Sequence, residues 1–203
     1  MNFNLTGNTS APANNAGALN LTKGSVLDLT KASPALHNCI LGGGWDMAVA
    51  GPAADLDLAA FMLNAQGRVE RIPQDVIFFN NMHANGISLA GDNRTGAGEG
   101  DDERININLD QIESRINKII FFIVIHDAMA KRQTFGMINN SFVRLLDADD
   151  REREICRYDL KERYATDTAI TVCSLNRNAR GWEFEAIGDG SVADLNDLLG
   201  RYM

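Results

Sequence analysis

The chain has 203 residues, 45% of them hydrophobic and 23% charged, a balance typical of one globular domain with its own core rather than of a disordered protein. A formal net charge of −8 and a pI near 4.8 disfavour binding to nucleic acid, which needs clustered lysine and arginine. Cys39, Cys156 and Cys173 are widely spaced and odd in number, which favours free thiols in a reducing compartment over a disulfide framework.

The N-terminal residues 1–17 are rich in Asn, Ala, Gly and Ser, without periodic apolar pattern and without the basic and apolar regions of a secretory signal. We predict a flexible leader over residues 1–17 and a single domain over residues 18–203. The longest apolar run, Ile119–Ile125, is too short to span a bilayer. These features predict a cytoplasmic protein with no direct membrane insertion.

Short apolar segments separated by turn residues recur through the rest of the chain, which predicts many strands. Arg104–Leu109 alternates polar and apolar residues, so one face is expected to be buried, whereas Lys118–Ile125 is apolar on both faces and is expected at a sheet centre. The predicted strands are Leu19–Leu21, Val26–Leu29, His37–Leu41, Leu56–Asn64, Val76–Asn80, Ile87–Ala90, Arg104–Leu109, Lys118–His126, Ser141–Asp147, Glu154–Leu160, Ala169–Leu175 and Trp182–Ile187.

Helical periodicity is confined to two segments. Asp110–Asn117 carries Ile112 and Ile116 four residues apart, and Val192–Tyr202 places its apolar residues on one stripe with Ser191 as a cap. Many strands, few helices and glycine turns predict an all-β protein with minor helix: a β-sandwich of two antiparallel sheets with a short C-terminal helix.

The segment Gly91–Glu103 holds the densest negative charge in the chain. Between Asp92 and Glu103, five acids and one base fall within 12 residues, a net of −4, and three glycines allow the backbone to fold back. Two carboxylates about 5 Å apart repel by roughly 3 kcal/mol at an effective dielectric of about 20. The segment therefore needs open solvent or a cation, and its composition alone is compatible with both.

A second acidic element, Asp55-Leu56-Asp57, stands at the start of a predicted strand. Residues i and i+2 of a strand share a face, so both carboxylates could reach one ion, with the Leu56 carbonyl between them. This many hard oxygen donors favours Ca²⁺, which takes 6–8 of them, over Mg²⁺, which keeps several waters, or Zn²⁺, which prefers His and Cys.

Two familiar loop motifs do not match Gly91–Glu103. An EF-hand would need an oxygen ligand where Arg94 stands and a glycine where Ala97 stands, and the flanks are predicted strands rather than helices. A phosphate-binding loop would need a Lys-Ser/Thr pair after the glycines, and the neighbouring acids would repel phosphate.

Several blocks occur in a fixed order over residues 19–190. They are Leu21-Thr22-Lys23-Gly24, Gly44-Trp45-Asp46, Asp55-Leu56-Asp57, Phe78-Phe79-Asn80-Asn81, Gly91–Glu103, Ile125-His126-Asp127-Ala128, Gln133-Thr134-Phe135-Gly136, Asn140-Ser141-Phe142-Val143-Arg144 and Arg157-Tyr158-Asp159-Leu160. Together they resemble the signature blocks of the TerD family of tellurium-resistance and stress proteins. Ala54, where that family often has an aromatic residue, departs from the pattern.

The resemblance implies a β-sandwich that binds calcium, commonly as a pair of ions held by acidic loops at one end. It also implies partners among other stress-operon proteins, including a membrane-embedded one, and leaves the oligomeric state open. The candidate metal ligands are Asp46, Asp55, Leu56, Asp57, Asp92, Asn93, Asp101, Asp102 and Glu103.

The sequence and the resemblance suggest three possible functions. The first is a non-enzymatic calcium-binding module whose ordered loops form a partner-binding surface. The second is calcium-dependent attachment to anionic lipid, for which Arg94, Met82 and Ile87 are the candidate contacts. The third is an enzyme of tellurite detoxification; the three cysteines and the His126-Asp127 pair lack an accompanying nucleophile motif or basic cluster, and we interpret them as structural.

Overall fold

The computed structural model describes residues 17–47, 54–90, 100–161 and 164–203, which form two sheets packed face to face. The first sheet contains β1 (Leu19–Leu21), β3 (Asn38–Met47), β6 (His83–Ala84), β7 (Ile87–Ala90), β8 (Glu103–Asn108), β10 (Ile138–Asp147) and β11 (Arg153–Asp159). The second contains β2 (Val26–Asp28), β4 (Leu56–Leu63), β5 (Val76–Ile77), β9 (Lys118–Ile125), β12 (Ala169–Asn178) and β13 (Gly181–Ser191). The predicted all-β sandwich is confirmed.

The seven-stranded sheet has the order β1-β11-β10-β3-β8-β7-β6, and the six-stranded sheet the order β2-β13-β12-β9-β4-β5. Neighbouring strands are antiparallel except β1, which pairs parallel with β11. This parallel pair lies at one edge of the seven-stranded sheet. β1 joins the free edge of β11 just before the chain crosses to β2 in the other sheet, and an edge strand can be extended in either direction.

The core lies between the sheets and is filled by alternate residues of each strand. On β8, Ile105 and Ile107 are buried and their neighbours Arg104, Asn106 and Asn108 are not, as the alternation predicts. On β9 both faces are buried, as predicted for a central strand. Its outer face is covered by the C-terminal helix, since the ring of Tyr202 lies 6.0 Å from those of Phe61 and Phe122.

The predicted helix at Asp110–Asn117 is wrong. The segment forms successive turns in which Ile112 and Ile116 are buried, so the apolar spacing reflects burial and not a helix. The Arg177 side chain donates hydrogen bonds to the carbonyls of Ile112, Glu113 and Ile116, which a longer helix would have used for its own amides.

Helices α1 (Leu29–Ala32), α2 (Ala128–Lys131) and α3 (Leu195–Arg201), with a 3-10 turn at Phe135–Met137, complete the described structure. The C-terminal helix is confirmed, but it begins at Leu195 instead of Val192. Ser191 belongs to β13, and Asp194 is the cap. In the described part of the chain, no helix is long and apolar enough to cross a membrane.

Candidate functional site

One end of the sandwich collects the acidic residues singled out by the sequence. In each sheet, antiparallel pairing brings the start of one strand beside the end of its neighbour: β8 beside β3, and β4 beside β9. The Glu103 carboxylate on β8 accepts a 2.6 Å hydrogen bond from the Leu58 amide on β4, so both pairs meet at the same end. Asp92 and Asn93 lie outside the described residues.

Asp102 and Asp46 lie at the rim of the seven-stranded sheet. The Asp102 amide donates to the Gly43 carbonyl at 2.8 Å, and its carboxylate accepts from the Trp45 amide at 2.8 Å. Asp46 is exposed at the end of β3 and accepts a hydrogen bond from the Asn140 side chain at 2.9 Å.

The pKa of Asp102 is raised above its ordinary value. Burial is the largest cause, the hydrogen bond from Trp45 opposes it, and the nearby negative charges of Asp46 and Asp101 add to it. A cation placed beside Asp46 and Asp102 would stabilise the charged form of both carboxylates. The electrostatics of the rim thus favour a positive ligand.

Asp55, Leu56 and Asp57 form the rim of the six-stranded sheet. Leu56 is fully buried in the core, and alternation along β4 directs the half-buried Asp55 and Asp57 side chains to the outer face. The Asp57 carboxylate lies 3.2 Å from Nδ1 of His126, whose amide donates to the Asp55 carbonyl at 2.7 Å.

The Leu56 carbonyl is directed to the open edge of β4. The backbone carbonyl of Asp55 accepts a hydrogen bond from β9. Because backbone groups alternate in direction along a strand, the amides and carbonyls of the even-numbered residues of β4 point away from β9. β5 is shorter than predicted and pairs only with Ala60 and Phe61 of β4. Nearer the start of β4, the Leu58 amide donates its hydrogen bond to the Glu103 carboxylate instead.

The run Asp101-Asp102-Glu103 diverges in three directions. Asp101 lies on the outer face of the seven-stranded sheet, with its side chain 3% exposed and 2.7 Å from Nε of Arg144. Glu103 points between the sheets, and Asp102 points to the rim. Across the described ranges, no three or more His, Cys, Asp or Glu side chains form a metal-binding group.

Adjacent residues of a strand point to opposite faces, yet the side chains of His126 and Asp127 lie close together. Asp127 has left the strand and adopts a left-handed conformation with φ 55°, which brings its carboxylate to 3.5 Å from Nε2 of His126. These two residues, with Asp57, Phe79 and Asp194, help to line a cavity of about 310 Å³. Strand periodicity could not reveal this cluster because the backbone changes direction between the two residues.

The three cysteines are buried, as interpreted from the sequence. Burial raises the pKa of the Cys156 thiol to about 12 and also raises the pKa values of Cys39 and Cys173. Since the thiolate is the reactive form, these groups are poor nucleophiles in the folded protein.

The family model described as the TerD domain matches residues 18–202. The chain is 42% identical over 188 residues to the tellurium resistance protein TerD of Serratia marcescens, an alignment that covers 91% of this chain and 97% of that protein. It is 43% identical over 188 residues to general stress protein 16U of Bacillus subtilis (strain 168), covering 91% of this chain and 96% of the relative.

The fold is also similar to that of a solved relative. A crystal structure of a homologue of telluride resistance protein (TerD) from Streptomyces coelicolor A3(2) superposes with a TM-score of 0.65 at 29% identity, covering 79% of this chain and 94% of that one. The family match spans nearly the whole chain, and the sequence and fold comparisons agree. The chain therefore belongs to the TerD family.

Proposed function

We propose that this chain is a calcium-binding, non-enzymatic module of the bacterial tellurite and general stress response. In this proposal Ca²⁺ orders the acidic segments at one end of the sandwich into a surface that binds other stress-operon proteins, among them a membrane-embedded one. The observation that carries the proposal is Asp102, a carboxylate whose pKa is raised beside Asp46 and Asp101, where the segment Gly91–Glu103 rejoins the sheet. Family membership supports the link to stress.

The donors at this end fit calcium in their chemistry. Carboxylate oxygens and a strand-edge carbonyl are hard ligands, which Ca²⁺ prefers. The groups that would hold one or two ions are Asp46, Asp55, the Leu56 carbonyl, Asp57 and Asp102, with Asp92 and Asn93 from the acidic segment. Asp101 and Glu103 contact Arg144 and Leu58 instead, and we assign them to supporting the site.

Calorimetric titration of the full chain with CaCl₂ tests the proposal. We expect saturable binding that is strongly weakened in Asp57→Ala and Asp102→Ala. Asp110→Asn is the matched control, since it removes an exposed carboxylate at the opposite end of β8. At a hundredfold excess over Kd, binding stabilises the fold by about 2.7 kcal/mol. For a chain of this size, that energy corresponds to a rise in Tm of roughly 5–10 °C.

The proposal is wrong if the wild type gives neither binding heat nor a rise in Tm with Ca²⁺. It is also wrong if Asp110→Asn weakens binding as much as Asp57→Ala does, because the effect would then reflect net charge and not a site. Equal responses to Mg²⁺ and Ca²⁺ would contradict the choice of ion.

Calcium-dependent binding to anionic lipid is the second candidate function. Two of its sequence-predicted contacts are unsuitable, since Ile87 is buried and Met82 packs against the core, and Arg94 lies outside the described residues. However, Met129 and Val192 are 76% and 61% exposed and flank one cavity at the end where β9 and β13 finish. Their exposure is the observation that favours a membrane contact.

Co-sedimentation with phosphatidylserine vesicles separates the two functions. If lipid binding is the function, the protein sediments in CaCl₂, stays in solution with chelator, and loses sedimentation in Met129→Ser/Val192→Ser. If the calcium-ordered surface serves protein partners, the protein stays in solution under both conditions while calorimetry still detects the ion.

A thiol enzyme of tellurite detoxification is the least supported candidate, because burial raises the pKa of each cysteine. Replacing all three cysteines by serine in a tellurite-resistance assay, with the protein level checked, tests it. Resistance is expected to persist at equal protein level, and its loss there would favour the thiol enzyme.

A further inference from the structure

Two outward-facing glycines of β3 make room for residues 100 and 101 of the acidic segment. A Cβ atom at Gly42 would lie 2.3 Å from Cγ of Asp101 and 2.4 Å from both its carboxylate oxygens. A Cβ atom at Gly44 would lie 2.8 Å from the Gly100 carbonyl oxygen and 2.5 Å from the ring of Phe142. A side chain at Gly42 would collide with the Asp101 carboxylate, and one at Gly44 would collide with the Phe142 ring and the Gly100 carbonyl oxygen, so residues 100 and 101 both approach β3 closely.

Asp101 occupies the space above Gly42, with a buried carboxylate that pairs with partly exposed arginines. Its two oxygens lie 2.7 Å from Nε of Arg144 and 3.4 Å from Nε of Arg104. Arg144 also pairs with Glu154 at 3.1 Å. Burial lowers the pKa of the Arg144 guanidinium, but its pairing with these two carboxylates outweighs burial and raises the pKa overall. The Asp101 carboxylate thus accepts a hydrogen bond from Arg144 and lies within ion-pair distance of Arg104.

This anchor lies next to the rim carboxylate. Gly100 has φ 110°, a conformation that favours glycine, and it directs the chain onto β3. Asp102 follows directly after Asp101. Its amide donates a hydrogen bond to the Gly43 carbonyl, and its carboxylate accepts one from the Trp45 amide. A residue that holds position 101 against the sheet therefore also sets the place of the Asp102 carboxylate.

We infer that Asp101 is a positioning residue: Arg144 holds it over Gly42, and it places the Asp102 carboxylate at the rim without itself binding the ion. The inference rests on the proposed function only where calcium affinity is measured. In this arrangement Gly42 and Gly44 provide the space that residues 100 and 101 need against β3. Asp102 binds the ion, and Asp101 holds Asp102 in place.

Arg144→Gln distinguishes this role from direct ligation by the sign of its effect. If Asp101 were a ligand, removing its competing arginine would free a carboxylate and strengthen calcium binding. If Asp101 is an anchor, the same substitution releases residues 100–102 and weakens calcium binding, although a positive charge has been removed. Arg157→Gln is the matched control, since it also removes an arginine from this outer face. Arg157 pairs with Asp159 and stacks on Phe142.

We expect calorimetry to show calcium affinity reduced about tenfold or more in Arg144→Gln, because this substitution leaves the buried carboxylate of Asp101 without its partner. In Arg157→Gln the affinity should be unchanged or slightly higher. Calcium affinity in Arg144→Gln equal to or above that in Arg157→Gln would overturn the inference.

A measurement without calcium keeps the inference testable if the proposed function fails. With chelator present, hydrogen exchange at the amides of Asp102 and Trp45 should become about tenfold faster or more in Asp101→Asn and Arg144→Gln, but not in Arg157→Gln. Unchanged protection of both amides would overturn the anchor whatever the calcium result. Absence of calcium binding with loss of protection would reject the proposed function alone.

A double-substitution cycle tests the contact over Gly42 directly. Gly42→Ala should lower Tm in the wild type, but much less in Asp101→Ala, where the colliding carboxylate is gone. Gly43→Ala is the control, because the nearest atom to its Cβ would be at an ordinary 3.8 Å. Equal effects of Gly42→Ala in both backgrounds would show that Asp101 does not occupy that space and would overturn the inference.

Discussion

At the scale of single residues, carboxylates of this protein differ in whether the fold stabilises their charge. Burial and two neighbouring acids raise the pKa of Asp102. Asp149, by contrast, accepts hydrogen bonds from the side chain and amide of Asn38 and from the amide of His37, which together lower its pKa. The fold thus disfavours the charged form of Asp102 and favours the charged form of Asp149.

Substituting these two residues should have opposite effects on the metal-free protein. A carboxyl whose pKa is higher in the folded than in the unfolded chain stabilises the fold at low pH, and this stabilisation is lost as the pH rises. At pH 7 the charge of Asp102 is therefore unfavourable to folding. Asp102→Asn should raise Tm with chelator or leave it unchanged, since the amide oxygen can still accept from Trp45. Asp149→Asn should lower Tm at pH 7, with a smaller effect as the pH falls below 3.8. Thermal melts with chelator between pH 3 and pH 7 check both signs, and a lower Tm in Asp102→Asn at pH 7 would contradict the first.

The buried thiols predict a loss of stability in alkali. In the unfolded chain a thiol ionises near its ordinary pKa of 9.0, whereas Cys156 stays protonated in the folded protein up to about pH 12. The free energy of unfolding should therefore decrease as the pH rises from 9 towards 12, because ionisation favours the unfolded chain. Urea titrations at pH 8 and pH 10 measure this, and a cysteine-to-alanine triple variant should show a smaller decrease.

At the scale of elements, the C-terminal helix illustrates how a side chain sets a boundary. Asp194 and Asp197 form a reciprocal capping box, in which each carboxylate accepts from the amide of the other at 2.8 and 3.1 Å. Ala193 is held before the helix because its amide and carbonyl both bond to the Thr168 hydroxyl. The apolar stripe from Val192 predicts a helix, but these contacts determine where it begins.

Removing this cap should cost about 1 kcal/mol of stability. We expect Asp194→Ala to lower the free energy of unfolding by that amount in urea, because the first amides of α3 lose their acceptor. Ser191→Ala, at the cap position predicted from the sequence, should change it by less than about 0.5 kcal/mol. The reverse order of effects would contradict the assignment of Asp194 as the cap.

At the scale of the whole molecule, Glu103 connects the two sheets. It belongs to β8 of the seven-stranded sheet, is 2% exposed, and accepts from the Leu58 amide of the six-stranded sheet at 2.6 Å. β5 ends before it can cover that amide, so this carboxylate replaces a missing strand partner. The contact closes the sandwich at the end where the rim carboxylates lie.

Glu103→Met should therefore destabilise the protein more than a surface change does. Leaving the buried Leu58 amide without its acceptor costs about 1–3 kcal/mol. Glu152→Met breaks a surface ion pair with Arg104 and should cost less than about 1 kcal/mol. Urea unfolding with chelator compares the two variants, and equal losses would show that Glu103 does not connect the sheets.

Local sequence patterns are sufficient to predict the all-β class and most of the strands, and the TerD resemblance adds that the acidic residues gather at one end. Alternation on β8, the two-faced apolar β9 and the ordered TerD-like blocks are local patterns that each depend on a few neighbouring residues. Asp55 and Asp57 were predicted to share a face for the same reason, since alternation is a property of any strand.

The different contacts of the three acids in the run 101–103 depend on tertiary packing. Three consecutive carboxylates look alike in sequence, yet Asp101 meets Arg144 across the sheet, Asp102 meets the end of β3, and Glu103 meets the opposite sheet. The Asp110–Asn117 turns likewise depend on Arg177, more than sixty residues later. Such partners are distant along the chain and become neighbours only when the sheets pack, so no local pattern encodes them.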